Sequence, residues 1–172
     1  MSLFLTQFHN IAQVLMWLAV LVWMPFLNWD KAYDNTHWRI LLNVAQTAQF
    51  HDIIFSYKKW VKNNIVQVAA RYFIMLIIIY VIFPQCGACY WISAVVVALC
   101  LTEITRYGFY TGYCKSLAGA LRYNLFIVIM PVNQFTEFMT CYRAFQNTDP
   151  TKFAVEMPNA WNVAFYPRWL FL

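Results

Sequence analysis

Long runs of hydrophobic positions, separated by short polar segments, dominate this chain. The longest run without a charged residue extends from Tyr72 to Thr102 and contains 31 residues. A helix rises about 1.5 Å per residue, so one passage through a hydrocarbon core about 30 Å thick takes roughly 20 residues. The run is too long for one passage, and the segment PQCG at 84–87 predicts a turn between two spanning helices. We therefore expect an integral membrane protein.

The apolar runs predict an all-α, polytopic transmembrane bundle. The five predicted crossings are residues 11–27, 38–57, 65–83, 89–110 and 121–145. The second is the weakest candidate, because it contains an arginine, an aspartate, a histidine and two glutamines and is tolerated only if its polar face turns into the bundle. A loop is expected at 111–120. Residues 1–172 are predicted to form a single membrane domain, with a polar and aromatic C-terminal tail at 146–172.

The composition agrees with a membrane protein. The chain is 62% hydrophobic and only 11% charged, whereas soluble domains are about 25% charged. The formal net charge is +5, but the basic residues are scattered apart from the lysines at 58, 59 and 62. No nucleic-acid-binding face is predicted from this distribution. The basic loops instead predict that the N-terminus faces the cytosol or an equivalent compartment such as the mitochondrial matrix.

The five cysteines lie in or beside apolar segments, which predicts reduced, buried thiols and not a disulfide framework. Cys86 and Cys89 form a single Cys-x-x-Cys pair without a second pair or a nearby histidine. A hydrophobic turn is a better interpretation of this pair than a metal or redox site. No metal or cofactor is predicted.

A charged pair lies within the fourth predicted crossing. Glu103 and Arg106 are three residues apart and share a helix face, which Tyr107 and Tyr110 extend. The pair could form the wall of an active site or a structural ion pair that fixes helix packing. The structural interpretation is favoured, because buried ion pairs occur without chemistry.

Glu137 lies in the fifth predicted crossing and has two interpretations. It could be a general acid or base that faces a cavity, or a carboxylate near the membrane surface paired with Arg143 or another cation. The spacing alone does not decide between them. His51 and Asp52 could be a proton-transfer pair, but adjacent residues do not face each other on a helix, so His51 is expected to line the bundle alone.

Three short motifs follow one another along the chain. They are QVAAR at 67–71, TEITRYGFY at 102–110 and LRYNLF at 121–126. Together they resemble the Q-V-x-S-R, T-E-I-x-R-Y-x-x-Y and L-R-Y-x-x-F segments of the 3-hydroxyacyl-CoA dehydratases, also called protein-tyrosine-phosphatase-like proteins. His51 and Lys58 fit the family's second helix, and residues 157–162 resemble the loop before its last helix. The resemblance implies a six-helix membrane enzyme of very-long-chain fatty acid elongation.

The resemblance also implies a catalytic Tyr and Glu in the pattern Y-P-x-G-x-x-x-E. The matching residues 130–137 read MPVNQFTE, so Glu137 is retained, Met130 replaces the tyrosine and Asn133 replaces the glycine. Dehydration needs a proton removed at C2 and one delivered to the leaving hydroxyl, and a thioether can do neither. This substitution predicts an impaired enzyme.

Other tyrosines are candidates to replace the missing one. Tyr123 is 14 residues from Glu137, about 21 Å along a helix, which is too far for it to act with Glu137. Tyr107 or Tyr110, from the neighbouring helix, could in principle replace the tyrosine. The candidate binding residues implied by the motifs are Arg71, Glu103, Arg106, Tyr107, Tyr110, Arg122, Tyr123 and Asn133.

Further departures from the family pattern favour lost chemistry. Ala48 stands where the family has Glu, and Phe55 where it has Gly. The bulk of Phe55 and Asn133 is expected to fill the acyl-chain cavity. Ten residues follow Asn162, too few for the family's sixth crossing.

Two functions are therefore predicted from the sequence. The first is a catalytically impaired, dehydratase-like protein that serves as a structural, supernumerary subunit of a larger organelle complex. Its expected partners are other membrane subunits and phospholipids, in the mitochondrial inner membrane, for example in a respiratory complex. The alternative is an active very-long-chain (3R)-3-hydroxyacyl-CoA dehydratase that binds acyl-CoA in the endoplasmic reticulum. A lipid-binding or acyl-CoA-binding module without catalysis is a third possibility.

Overall fold

The computed structural model describes residues 2–61, 64–112 and 115–147. The α-helices in this part of the chain are α1 (Ser2–Trp23), α2 (Thr36–Ala48), α3 (Phe50–Tyr57), α4 (Ile65–Ile77), α5 (Phe83–Cys86), α6 (Tyr90–Thr111) and α7 (Lys115–Asn147). A π-helical turn, Ile78–Ile82, joins α4 to α5. No strand occurs in the described ranges, and the predicted all-α class is confirmed.

Three helical spans in the described residues are long and apolar enough to cross a membrane. They are Phe4–Phe26, Ile65–Cys86 and Tyr90–Thr111, which correspond to the first, third and fourth predicted crossings. The fifth predicted crossing lies within α7, which has 33 residues and contains Pro131 without ending there. The loop predicted at 111–120 is wrong over its second half, because α7 already begins at Lys115 and its first residues, KSLAGA, include good helix formers.

The second predicted crossing is not one continuous helix. Its residues form α2, with 13 residues, and α3, with 8, and the α-helical hydrogen bonding is interrupted at Gln49. Asn35 starts α2 as an N-cap, since its side-chain oxygen accepts a hydrogen bond from the backbone nitrogen of Trp38 at 3.0 Å. Neither helix alone has the roughly 20 residues that a spanning helix needs.

The turn predicted at 84–87 is present but begins later. Pro84 lies in the first turn of α5, where its missing N–H is tolerated, so the helix continues to Cys86. Gly87 then has a φ of +65°, which a residue with a side chain rarely adopts. The backbone nitrogen of Cys89 donates to the carbonyl of Asp30 at 2.6 Å, which joins this turn to the loop after α1.

Helix α6 lies at the centre of the fold, between α1 and α7. It is antiparallel to α7: the rings of Trp91 and Phe135 meet edge to face at 5.7 Å near one end, and Gly119 lies against the ring of Phe109 near the other. Trp17 of α1 is fully buried, and its indole nitrogen donates to Gln13 at 3.1 Å. This arrangement leaves the charged face of α6 between α3, α4 and α7.

The four described cysteines are free. Cys86, Cys89 and Cys100 are buried, as predicted, and Cys141 is half-buried. Cys114, most of the predicted tail, the 157–162 loop and the predicted shortening of the sixth crossing lie outside the described residues.

Candidate functional site

A network of paired charges joins α3, α4 and α6. The carboxylate of Glu103 is buried and pairs with the guanidinium groups of Arg71 and Arg106, the latter at 2.8 Å. Arg106 also reaches the Oδ2 atom of Asp52 at 3.0 Å. Buried charges are tolerated when they are paired in this way. The predicted Glu103–Arg106 ion pair is therefore present, as part of a larger network that crosses three helices.

Asp52 connects this network to α1. His9 Nε2 lies 3.0 Å from its Oδ1 atom, and the buried Tyr107 hydroxyl donates to Oδ2 at 2.6 Å. His51, which was expected to line the bundle, is instead exposed, and its Nδ1 atom lies 3.0 Å from the carbonyl of Ala48. The reason is that Asp52 takes the inward position on α3, where it meets α1 and α6, and His51 lies about 100° further around the helix.

Glu137 is half-buried on α7. The side-chain amide of Asn133, one turn earlier, donates to its Oε1 atom at 2.5 Å. Arg143 donates to Gln146 at 3.4 Å, so the alternative that pairs Glu137 with Arg143 is wrong. A separation of six residues turns a side chain by about 240°, which puts the two groups on different faces.

A cavity of about 460 Å³ lies between α4, α6 and α7, with a mostly apolar lining. Glu137 and Met130 both line it, as two helix turns between them require. The other polar residues of its wall are Gln67, Arg71, Thr102, Asn133 and Gln134. The cavity brings together a carboxylate, a guanidinium and amides in an apolar space, which is a common form of ligand site.

Phe55 does not fill this cavity, contrary to expectation. Its ring packs at 5.2 Å from His9 and 5.5 Å from Trp60, and it lines a different cavity of about 150 Å³ beside Asp52 and Tyr110. Asn133 does lie on the wall next to Glu137, yet the cavity there remains open.

None of the candidate substitute tyrosines lines the Glu137 cavity in the described part of the chain. The hydroxyl of Tyr107 is bound to Asp52, and Tyr110 lies beside the smaller cavity of Asp52. Tyr123 is 75% exposed. The idea that Tyr107 or Tyr110 replaces the family tyrosine is therefore not supported by their positions.

A second, basic cavity of about 80 Å³ adjoins the first. Arg71, Arg106 and Arg122 line it together with threonines and aliphatic side chains. Arg71 and Thr102 line both cavities, which therefore lie side by side. Sequence spacing had indicated these arginines one by one, but not their convergence.

The described site defines a helical membrane protein with an acid-bearing apolar cavity beside a basic one. The family described as "Protein tyrosine phosphatase-like protein, PTPLA" matches residues 46–172, and the chain belongs to this family.

The chain is similar to very-long-chain (3R)-3-hydroxyacyl-CoA dehydratase 1 of Canis lupus familiaris, with 30% identity in an alignment of 173 positions that covers 92% of this chain and 68% of the relative. The Mus musculus protein of the same name is also 30% identical, but the chain spans only 60% of its length. The dehydratase PASTICCINO 2 of Arabidopsis thaliana is 26% identical over 87% of this chain and 78% of the relative. No solved structure matches significantly.

Proposed function

We propose that this chain binds 3-hydroxyacyl thioesters of very long acyl chains in the Glu137 cavity and removes water from them. The observation that carries the proposal is the half-buried Glu137 carboxylate on the wall of a mostly apolar cavity of about 460 Å³. Such a cavity, with few polar groups, suits a long acyl chain that carries one reactive end. The dehydratase names of the relatives support the same substrate class.

The residues present suggest how the reaction proceeds. A carboxylate oxygen of Glu137 takes the C2 proton, the freed electron pair forms the C2–C3 double bond, and the proton passes to the departing C3 hydroxyl. The products are a 2-enoyl thioester and water. Asn133 holds the carboxylate through its hydrogen bond to Oε1.

Met130, which replaces the family tyrosine, is expected to lower the rate of dehydration. The loss of one positioned acid or base typically lowers a rate by about 10²–10⁴-fold. Because Met130 carries no exchangeable proton, Glu137 must handle both proton steps, and we propose a slow dehydratase.

The test is the reaction itself. Purified protein in detergent is incubated with 3-hydroxyhexadecanoyl-CoA, and the enoyl product is followed by mass spectrometry. We expect slow turnover that falls by about 10²-fold or more in Glu137→Gln. Asp34→Asn, at an exposed carboxylate between α1 and α2, is the matched control and should retain the wild-type rate. Equal product formation by wild-type protein and Glu137→Gln would contradict the proposal.

A second candidate function is favoured by one observation, the methionine at the position of the family tyrosine. In this alternative the chain is a non-catalytic structural subunit of a membrane complex, and a phospholipid occupies the cavity. It requires that the chain purify with other membrane subunits and with stoichiometric lipid. Purification under mild detergent, followed by native mass spectrometry, distinguishes a complex of this kind from a single chain.

We also propose the endoplasmic reticulum membrane as the site of action, in preference to the mitochondrial inner membrane. The support for this choice is the resemblance to enzymes of very-long-chain fatty acid elongation. Microscopy of the tagged protein against markers of both membranes tests it, and mitochondrial staining alone would favour the structural-subunit alternative.

A further inference from the structure

We propose that the basic cavity lined by Arg71, Arg106 and Arg122 binds a phosphate group of the CoA part of the thioester. The inference rests on the function proposed above, and it adds a second contact region to the Glu137 cavity. A guanidinium presents parallel N–H donors that match phosphate oxygens, so arginines are well suited to this ligand.

The charges around the basic cavity do not cancel. Arg71 and Arg106 are balanced by Glu103 and Asp52, each within ion-pair distance. Arg122 pairs with no carboxylate in the described residues; its guanidinium lies over the rings of Phe109 and Tyr110, at 5.2 and 5.5 Å.

Arg122 thus faces the cavity without a carboxylate partner among the described residues. In addition, the Nε atom of Arg106 is buried and has no hydrogen-bond partner in the described part of the chain. An unbalanced guanidinium together with a free donor favours an anionic ligand.

The size of the cavity limits the ligand. About 10–15 Å³ of such space holds one water molecule, so about 80 Å³ holds several waters or one tetrahedral oxyanion. A whole nucleotide does not fit. A single phosphate group does, with the remainder of the CoA outside the bundle.

The position of the basic cavity agrees with the length of CoA. Its lining residues on α7 extend from Arg122 to Ile129, which lie about 22 Å and about 12 Å along the helix from Glu137. An extended pantetheine arm, which contains two amide units, spans roughly 16 Å between its sulfur and phosphorus atoms, by the geometry of extended amide chains. With the thioester at Glu137, a phosphate can therefore lie within the basic cavity, where the long side chain of Arg122 faces it.

Arg122 also lies near one end of the bundle. It follows the first residue of α7, Lys115, by seven residues, or about 10 Å. The turn at Gly112 lies just before this helix. A water-soluble nucleotide can remain outside this end while the acyl chain lies among the helices.

A phospholipid phosphodiester has the same chemistry as a CoA phosphate, so the experiment must separate the two sources. Affinity is measured in detergent for hexadecanoyl-CoA, which lacks the 3-hydroxyl and is not turned over, and for the N-acetylcysteamine thioester of the same acid, which lacks every phosphate. A third probe is phosphatidate in mixed micelles. The variants are Arg122→Gln, Arg122→Lys and, as a matched control, Arg143→Gln at an exposed arginine of the same helix.

We expect Arg122→Gln to weaken the binding of hexadecanoyl-CoA about tenfold, since this ligand carries phosphates. The affinity for the N-acetylcysteamine thioester, which has none, should not change. Arg122→Lys should weaken the binding of hexadecanoyl-CoA less than Arg122→Gln does, because lysine keeps the charge but loses the paired N–H donors. It also provides the test if the glutamine variant does not fold. Arg143→Gln should change neither affinity.

Three results would overturn the inference. Equal weakening of both thioesters by Arg122→Gln would assign Arg122 a structural role, and unchanged binding of both would remove it from the site. If Arg122→Gln lost phosphatidate binding but kept its affinity for hexadecanoyl-CoA, the cavity would be assigned to a phospholipid. If the wild-type protein bound neither thioester, the proposed function itself would fail, which is a different outcome from these three.

Discussion

Met130 and Glu137 face the same cavity from positions two turns apart on α7. A single side chain therefore separates this chain from the two proton carriers that its family pattern contains. The surrounding wall, with Asn133 on Glu137 and Arg71 across from it, does not depend on residue 130. The site can be tested by restoring that one group.

Met130→Tyr is expected to raise the dehydration rate by about 10²-fold or more, because it supplies a phenol as the second proton carrier. The cavity beside Met130 has room for the ring. Turnover of 3-hydroxyhexadecanoyl-CoA is the measurement, and Met130→Phe, which adds the ring without the hydroxyl, is the control. A tyrosine variant no faster than the phenylalanine variant would contradict the slow-dehydratase proposal.

Glu103→Ala is expected to destabilise the protein by about 1–3 kcal/mol, the typical cost of losing hydrogen bonds to charged groups. The substitution removes the buried carboxylate that Arg71 and Arg106 share, but Arg106 keeps Asp52 as a partner and Arg71 is partly exposed. Unfolding in mixed detergent measures the effect. Asp34→Ala, at an exposed carboxylate, should cost less than about 0.5 kcal/mol, and a similarly small loss for Glu103→Ala would show that the network contributes little.

Residue spacing predicted some of these contacts and missed others. The Glu103–Arg106 pair and the shared face of Met130 and Glu137 follow from helical periodicity, which needs only the local sequence. His9 was missed because its partner, Asp52, is 43 residues away and only tertiary packing brings them together. The polar position of His9 in an apolar helix was the one available signal.

At the scale of elements, hydrophobic run length predicted the spanning helices but not their ends. α6 was placed within one residue at each end, because Cys89 precedes it and Gly112 follows it. The interruption at Gln49 was not foreseen, since no proline or glycine marks it. The helix after Ile65 continues past Pro84, because a proline in the first turn of a new helical segment removes no needed donor.

Gly87→Ala is expected to cost about 1–3 kcal/mol, because the φ of +65° and ψ of −148° at this position lie in a region nearly restricted to glycine. The cost is in the backbone, since an added Cβ would meet only the Asn147 side chain at an ordinary 3.6 Å. Gly108→Ala, within α6 and with open space around it, is the control and should be neutral or stabilising. Unfolding midpoints that rank the two variants in the opposite order would contradict this explanation of the turn.

At the scale of the whole molecule, the charges fall into two groups that should respond differently to salt. The carboxylate of Glu103 is buried, and Asp52 and the arginine partners are half-buried; such pairs are screened much less than exposed charges. Arg122 faces the basic cavity with no carboxylate partner in the described residues, so its attraction for an anion is open to screening. Raising the salt from about 0.05 M to about 0.5 M shortens the screening length roughly threefold. The affinity for hexadecanoyl-CoA should therefore fall several-fold, while the unfolding midpoint stays nearly constant. If the unfolding midpoint moved in step with the affinity, the paired charges would be exposed to solvent. The division of the charges into two groups would then be wrong.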